Sequence, residues 1–425
     1  MGNNTVINTA IKSNELDSKE KVLNILNLSV SVLMGIFLFF TPFPHTTAIK
    51  EICFYLSVFI VILLISFKKI DFSFRSPFTL PFALFVGWAF VGLFFALDKV
   101  NSLHDFYAHL LKYLAIYYIL INFINCRKRL IIFSWIIIVS AAIFSIGGLI
   151  YFYIILNFPI YKRFGFSHMM NIDLIGFVTI FAMLLSMHQF KLETRLYRKI
   201  ILLVCILGTL MATCFTVSRG SLFALVIALI VFFKRHKLIV VFIIIFSLAS
   251  VITVPVLKAR FSKVGILLGS RRISINLRTL EIIKDYPVTG IGFGMQTYGN
   301  KNYIDLKKYD SRIPPRFQQA EPVNLTHNSL ADVAVRTGLI GFSLFCWVYF
   351  VFIRLGWNII RFGKEDFIRD WGLCVMAAFV SVVIQGLFAD GMFGPQAVVL
   401  YTLFAFMDIL WQLNTQTDHN MNKIV

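Results

Sequence analysis

Charge is scarce in this chain. Aspartate and glutamate number 21 and lysine and arginine 40, so charged residues amount to 14% of the 425. A soluble domain carries about a quarter. With 58% hydrophobic and 16% aromatic residues and a mean hydropathy of +0.80, the composition is that of an integral membrane protein. Cysteines are few: the six, at 53, 126, 205, 214, 346 and 374, lie in or beside apolar segments without metal-ligand spacing. They read as small buried hydrophobes, and no disulfide is inferred. There is no GxxxxGK[ST] phosphate loop, no HExxH zinc helix and no nucleotide-sugar domain. Internal repeats and low-complexity tracts are also missing. Uninterrupted apolar runs such as Leu238–Ser247 exclude the alternating strands of a membrane barrel.

What the chain does have is apolar segments of spanning length. About 20 mainly apolar residues make a membrane helix, and twelve candidates appear: 22–41, 49–67, 78–97, 107–124, 130–157, 170–188, 199–217, 220–233, 238–257, 337–354, 370–389 and 394–413. The expected fold is an all-α integral membrane protein of about twelve transmembrane helices with one long outer loop. The expected organisation is an inner N-terminal tail (1–21), helices 1–9 (22–257), the loop (258–336), helices 10–12 (337–413) and an inner C-terminal tail (414–425). Residues 1–21 lack the apolar core and cleavage site of a signal peptide, so the first helix is expected to stay. Orientation follows from lysine and arginine. With the N-terminus inside, 21 lie on the inner side, whereas the short outer connections hold only Lys50, Lys99, Lys112, Lys162, Arg163, Arg219 and Arg336. The basic interval Lys258–Thr326 carries twelve more, and a long loop crosses regardless of its charge.

Three outer elements carry candidate chemistry. The first is Thr216-Val-Ser-Arg219-Gly-Ser221, a polar break between the seventh and eighth apolar runs. Arg219 either snorkels or faces a polar cavity and binds an anion. The second is the stretch Asn276–Gly290. Leu277, Leu280 and Ile283 repeat at helical spacing, Asn276 is a plausible N-cap and Pro287 a stop, so an amphipathic helix on the membrane surface is expected. Its Arg278 either pairs with Glu281 or holds phosphate through its planar fork. Gly290-Ile-Gly-Phe-Gly294 reads as a glycine-permitted turn. The third element is His327-Asn328-Ser-Leu, with Asp332, Arg336, Gly338 and Gly341 following. His327 is either structural or a general base; the positive end of a helix dipole favours the neutral imidazole that a base requires. No second histidine at ligand spacing accompanies it, so no metal site is expected.

The order and spacing of Ser218-Arg219-Gly220, of Arg278 ahead of Pro287-Val-Thr-Gly-Ile-Gly292-Phe-Gly294, and of His327-Asn328-Ser-Leu ahead of Gly338-Leu-Ile-Gly341 resemble the O-antigen ligase and polymerase superfamily. The match is close over about residues 210–345. The resemblance implies a GT-C-like polytopic glycosyltransferase of a bacterial inner membrane, with both termini cytoplasmic and a periplasmic active site. It implies a glycan donor on undecaprenyl pyrophosphate, a lipid A–core or other glycan acceptor, membrane lipid as surroundings, no nucleic acid, no cofactor and no metal. By the same resemblance Arg219 and Arg278 bind pyrophosphate and His327 is catalytic. Asp390, in Leu387-Phe-Ala-Asp390-Gly391, matches a late aspartate, and Arg336 and Asn328 are supporting candidates. Ligase activity is the leading expectation. Polymerase and protein-glycosylating ligase are same-donor alternatives, and a lipid-linked glycan flippase or transporter is the alternative from another class.

Overall fold

A long apolar run in lipid has no water to satisfy its peptide groups, so it closes its own hydrogen bonds as helix. The computed structural model describes residues 23–165, 172–253, 271–389 and 394–421, and among them there are helices and turns but no strand. Twelve apolar helices follow the twelve runs: α1 (Leu23–Phe40), α2 (Thr47–Ser66), α3 (Thr79–Phe95), α4 (Lys99–Phe123), α5 (Arg127–Ile155), α6 (Ile172–Leu192), α7 (Leu196–Phe215), α8 (Arg219–Phe232), α9 (Lys237–Thr253), then, after the amphipathic α10 (Ile273–Asp285), α11 (Ser329–Phe362), α12 (Asp366–Gly386) and α13 (Gly394–Met421). Nine are long and apolar enough to cross a bilayer, while α3, α8 and the apolar part of α9 are shorter. The chain is a multi-pass membrane protein.

Two starts differ from expectation. Helix α4 begins at Lys99 rather than 107, because Asp98 caps it by accepting from the Asn101 amide at 3.0 Å. Helix α11 begins at Ser329 rather than 337, because the Asn328 side chain accepts from the Leu330 and Ala331 amides at 3.1 and 3.3 Å. Both caps are polar residues lying before the hydropathy rises, so hydropathy alone places the start late.

Helices α6 and α13 form the middle of the bundle. Lipid-facing helices keep bulky apolar side chains exposed: Ile52, Phe59 and Ile62 on α2, and Phe242, Ile245 and Phe246 on α9. Lipid is as apolar as leucine, so this exposure carries no hydrophobic penalty there.

Ion pairs gather at one end of the bundle. Asp370 holds both Lys191 (2.6 Å) and Arg235 (3.0 Å), and Glu365 holds Arg127 (2.5 Å). The other end collects the longer connections. There Phe164 donates to the Phe215 carbonyl (2.8 Å), Leu97 to that of Ile291 (3.1 Å), and the Ser329 hydroxyl to that of Gly386 (2.8 Å).

Candidate functional site

The site-bearing end is built on a break in α11. At Gly338 the backbone leaves the helix, with φ 67° and ψ −177°. A break strands carbonyls that need donors. Here the Pro287–Gly294 segment runs alongside and supplies them: the Ile291 amide donates to Val335 O (2.9 Å) and Gly292 to Arg336 O (3.1 Å), while Leu339 N donates back to Pro287 O (2.8 Å). The Trp88 indole takes the Thr337 carbonyl (2.9 Å). The approach demands glycine on both sides. A Cβ on Gly290 would lie 2.5 Å from the Arg336 backbone, and one on Gly338 would meet the Val288 carbonyl. The expected glycine turn is therefore half of a backbone joint.

The same segment is clamped from α4. The amides of Gly294, Met295 and Gln296 donate to Ser102 (3.1 Å), Asp105 (2.6 Å) and Asn101 (3.0 Å) in turn. From α11, the Arg336 guanidinium reaches the carbonyls of Phe293 (3.3 Å) and Met295 (3.4 Å) while paired with Asp332 at 2.8 Å. Arg336 is buried, so its observed contacts are those of a brace for this segment.

Helix α10 begins at Ile273, three residues before the expected cap, and Asn276 lies within it. Its inward face is Ile275, Arg278, Thr279 and Ile282, whereas Leu280 stays exposed. Arg278 does not pair with Glu281, which holds Lys284 at 2.5 Å. Fully buried, Arg278 donates to Asp310 (3.2 Å) and to the Val323 carbonyl (3.0 Å). The other Asp310 oxygen accepts the Gln319 amide at 2.6 Å. Arg278 thus gathers the returning chain, residues 310 to 323, onto α10. At the C-terminus of α10, the Arg312 guanidinium 2.7 Å away holds the Asp285 carboxyl below the usual range, and burial raises the Tyr309 phenol beside it.

Four residues beyond Val323 the chain reaches His327, half-buried, with φ +48°. A left-handed backbone at a residue other than glycine costs of order 1–3 kcal/mol and recurs at functional sites. Asn328, next to it, caps α11. The following residue, Ser329, donates to the carbonyls of Gly386 and Ala389 at 2.8 and 3.1 Å. Arg219 opens α8 behind the cap Ser218, half-buried, and no carboxylate pairs with it among the described residues. Its neighbour Gly220 lies against Phe388, where a Cβ would stand 2.8 Å from that side chain. Arg272, at the start of α10, places its guanidinium 5.0 Å from the Phe388 ring centre. The N-termini of α8 and α11 therefore lie beside the turn Gly386–Ala389, and the Arg272 side chain reaches the same turn. Each N-terminus is a positive dipole end, which favours an anion, with Ser218 and Asn328 already capping amides of its first turn. Asp390 lies outside the described residues.

Residues 200–346 match the family model described as O-antigen ligase. This stretch is an O-antigen ligase domain. It runs from α7 into α11 and holds Arg219, Arg278, His327, Asn328, Arg336 and the whole Gly290–Gly338 joint. Function of the O-antigen ligase or polymerase type follows for the chain in general terms. Among curated proteins none matches.

Within the O-antigen ligase domain, sequence reasoning passed over Arg272 because it was one basic residue among twelve. Outside the domain it passed over Asp105, His104 and His109 of α4, for which the only sequence signal is polar residues inside an otherwise apolar helix. Among the described residues no three His, Cys, Asp or Glu side chains gather as a metal-ligand set.

Proposed function

We propose that the protein is an O-antigen ligase that moves a polymerised glycan from undecaprenyl pyrophosphate onto a lipid A–core acceptor at the periplasmic face. The observation that carries this is the meeting of the N-termini of α8, which Arg219 opens, and α11 with the Arg272 side chain at the turn beside His327. A glycan on a lipid pyrophosphate already has a good leaving group, and catalysis must chiefly stabilise the charge that develops on it. Arg219 and the helix ends do this. Arg278 serves the same site by holding Asp310 and Val323, which sets the path of the chain to His327. A direct phosphate contact by Arg278 requires its pair with Asp310 to open.

The acceptor hydroxyl gives its proton to His327 as its oxygen attacks the anomeric carbon. The bond from that carbon to the pyrophosphate oxygen breaks, and undecaprenyl pyrophosphate leaves with the electron pair. One displacement gives inversion. Asn328 supports the step by fixing the start of α11, and Arg336 by fixing the Phe293–Met295 segment.

Gene deletion, with examination of both lipopolysaccharide and carrier lipid, tests the reading. Loss of long chains with long glycan left on the carrier is the expected result. Single repeats still reaching the core would instead assign a polymerase, and donor accumulating on the cytoplasmic leaflet a flippase. In the purified protein, Arg219→Lys keeps the charge but loses the bidentate fork and should lower transfer about a hundredfold or more. His327→Ala should lower it about a hundred- to ten-thousand-fold while donor binding persists.

A further inference from the structure

A cavity of about 600 Å³ opens among α1, α2, α4 and the start of α13, apart from the turn at 386–389. Its charged lining comes from two helices: Lys50 and Glu51 of α2, and His104, His109 and Lys112 of α4. Glu51 is taken by Lys112 in an ion pair that joins the two helices. Glu51 attracts Lys50 from the adjacent position, but no carboxylate lies within ion-pair distance of Lys50 among the described residues, so its ammonium remains to face a ligand. His104 binds Asp105 through Nδ1 at 2.9 Å, which leaves its other nitrogen facing away from that carboxylate. The hydroxyls of Thr47 and Tyr107 both donate and accept, as sugar hydroxyls do. A concave site of this size with a few fixed polar groups is proportioned for a small ligand of one or a few rings.

Hydrogen bonds also tie the cavity lining to the centre already described. Asp105, whose carboxylate touches both histidines, accepts the Met295 amide of the segment that Arg336 braces. Gly394 lines the cavity, and Ala389 accepts from Ser329 beside His327. Those two residues are five apart, a reach of at most about 18 Å.

Building on the transfer reading above, we propose that this cavity binds the acceptor through a saccharide unit that carries an anionic group, with Lys50 as its counter-ion. The two sources of such a group are a sugar phosphate and a sugar carboxylate. Direct binding to the full chain in detergent tests this without any transfer assay, using radiolabelled glucose, glucose 6-phosphate, glucuronate and glycerol 3-phosphate. The expected result is that glucose 6-phosphate, glucuronate or both bind at least tenfold more tightly than glucose and glycerol 3-phosphate. The anionic sugar that binds identifies the source. Lys50→Gln should bring that affinity down to the glucose level, Lys50→Arg should preserve it, and Arg219→Lys should leave it unchanged. The proposal is overturned if neither anionic sugar binds, if Lys50→Gln binds like wild type, or if Arg219→Lys loses the same binding. Equal binding of glycerol 3-phosphate would also overturn it, by identifying a lipid-headgroup phosphate site. Saccharide binding without glycan transfer would refute the transfer reading alone.

Discussion

Arg278 is where the residue scale departs furthest from a sequence reading. A guanidinium in a basic loop suggests an open anion site, yet this one is fully buried against Asp310, 32 positions along the chain. No local pattern announces such a partner. Burying two charges is costly, and the pair holds only because each ion finds further bonds, Arg278 to Val323 and Asp310 to Gln319. Removing one partner leaves the other charge buried and alone. Asp310→Asn should therefore destabilise the loop by about 3–5 kcal/mol. The check is limited proteolysis between residues 300 and 326, which should become at least a hundredfold faster in the variant. Proteolysis at the wild-type rate would mean that Arg278 does not depend on Asp310 and is free for phosphate.

Elements obey two different solvents here, and that decides which of them the sequence reveals. In lipid every run must close its own hydrogen bonds, so composition alone locates α1 to α9 and α11 to α13. The loop end follows no such rule. The backbone partners across the break at Gly338 are 44 to 52 residues apart, from Arg336 O with Gly292 N to Leu339 N with Pro287 O. Gly290 and Gly292 were legible as a turn and Gly338 as part of a motif, but not as two sides of one contact. The cavity was illegible for a related reason: Lys50 and Lys112 come together only when α2 packs on α4. Gly338→Ala should cost at least about 1–2 kcal/mol in backbone strain alone, with the clash against Val288 added. Gly147→Ala, where a Cβ meets nothing within 4 Å, should leave the protein as stable or more so. Thermal unfolding in detergent compares the two, and equal melting temperatures would dissolve the joint as a stabilising element. A weaker tie at the end of α10 responds to acid. Arg312 depresses Asp285, so the bond contributes above the ordinary carboxylate range and is lost as pH falls below about 4. Asp285→Asn should abolish that acid dependence of loop proteolysis.

On the whole molecule, charge and geometry make one joint claim about orientation. Asp370 and Glu365 tie three cations at one end of the bundle, and the short connections at that end carry most of the lysine and arginine outside the long loop. Short basic connections stay in the cytoplasm. The opposite end holds α10, the glycine joint, His327 and the cavity, and the rule predicts that this end faces outward. Net charge argues against this only if the long loop is counted as a short one. Its basic residues are partly consumed within the loop itself, Arg278 by Asp310, Arg312 by Asp285 and Lys284 by Glu281. The prediction is concrete. Asn300 sits in a turn between the two halves of the loop, and a cysteine placed there should react with a membrane-impermeant maleimide in intact spheroplasts. A cysteine replacing Lys364, at the opposite end, should react only after lysis. The native cysteines, three of them buried, require a wild-type control for background labelling. The reverse pattern would put the N-termini of α8 and α11 on the cytoplasmic side, where a glycan already carried across the membrane could not reach His327.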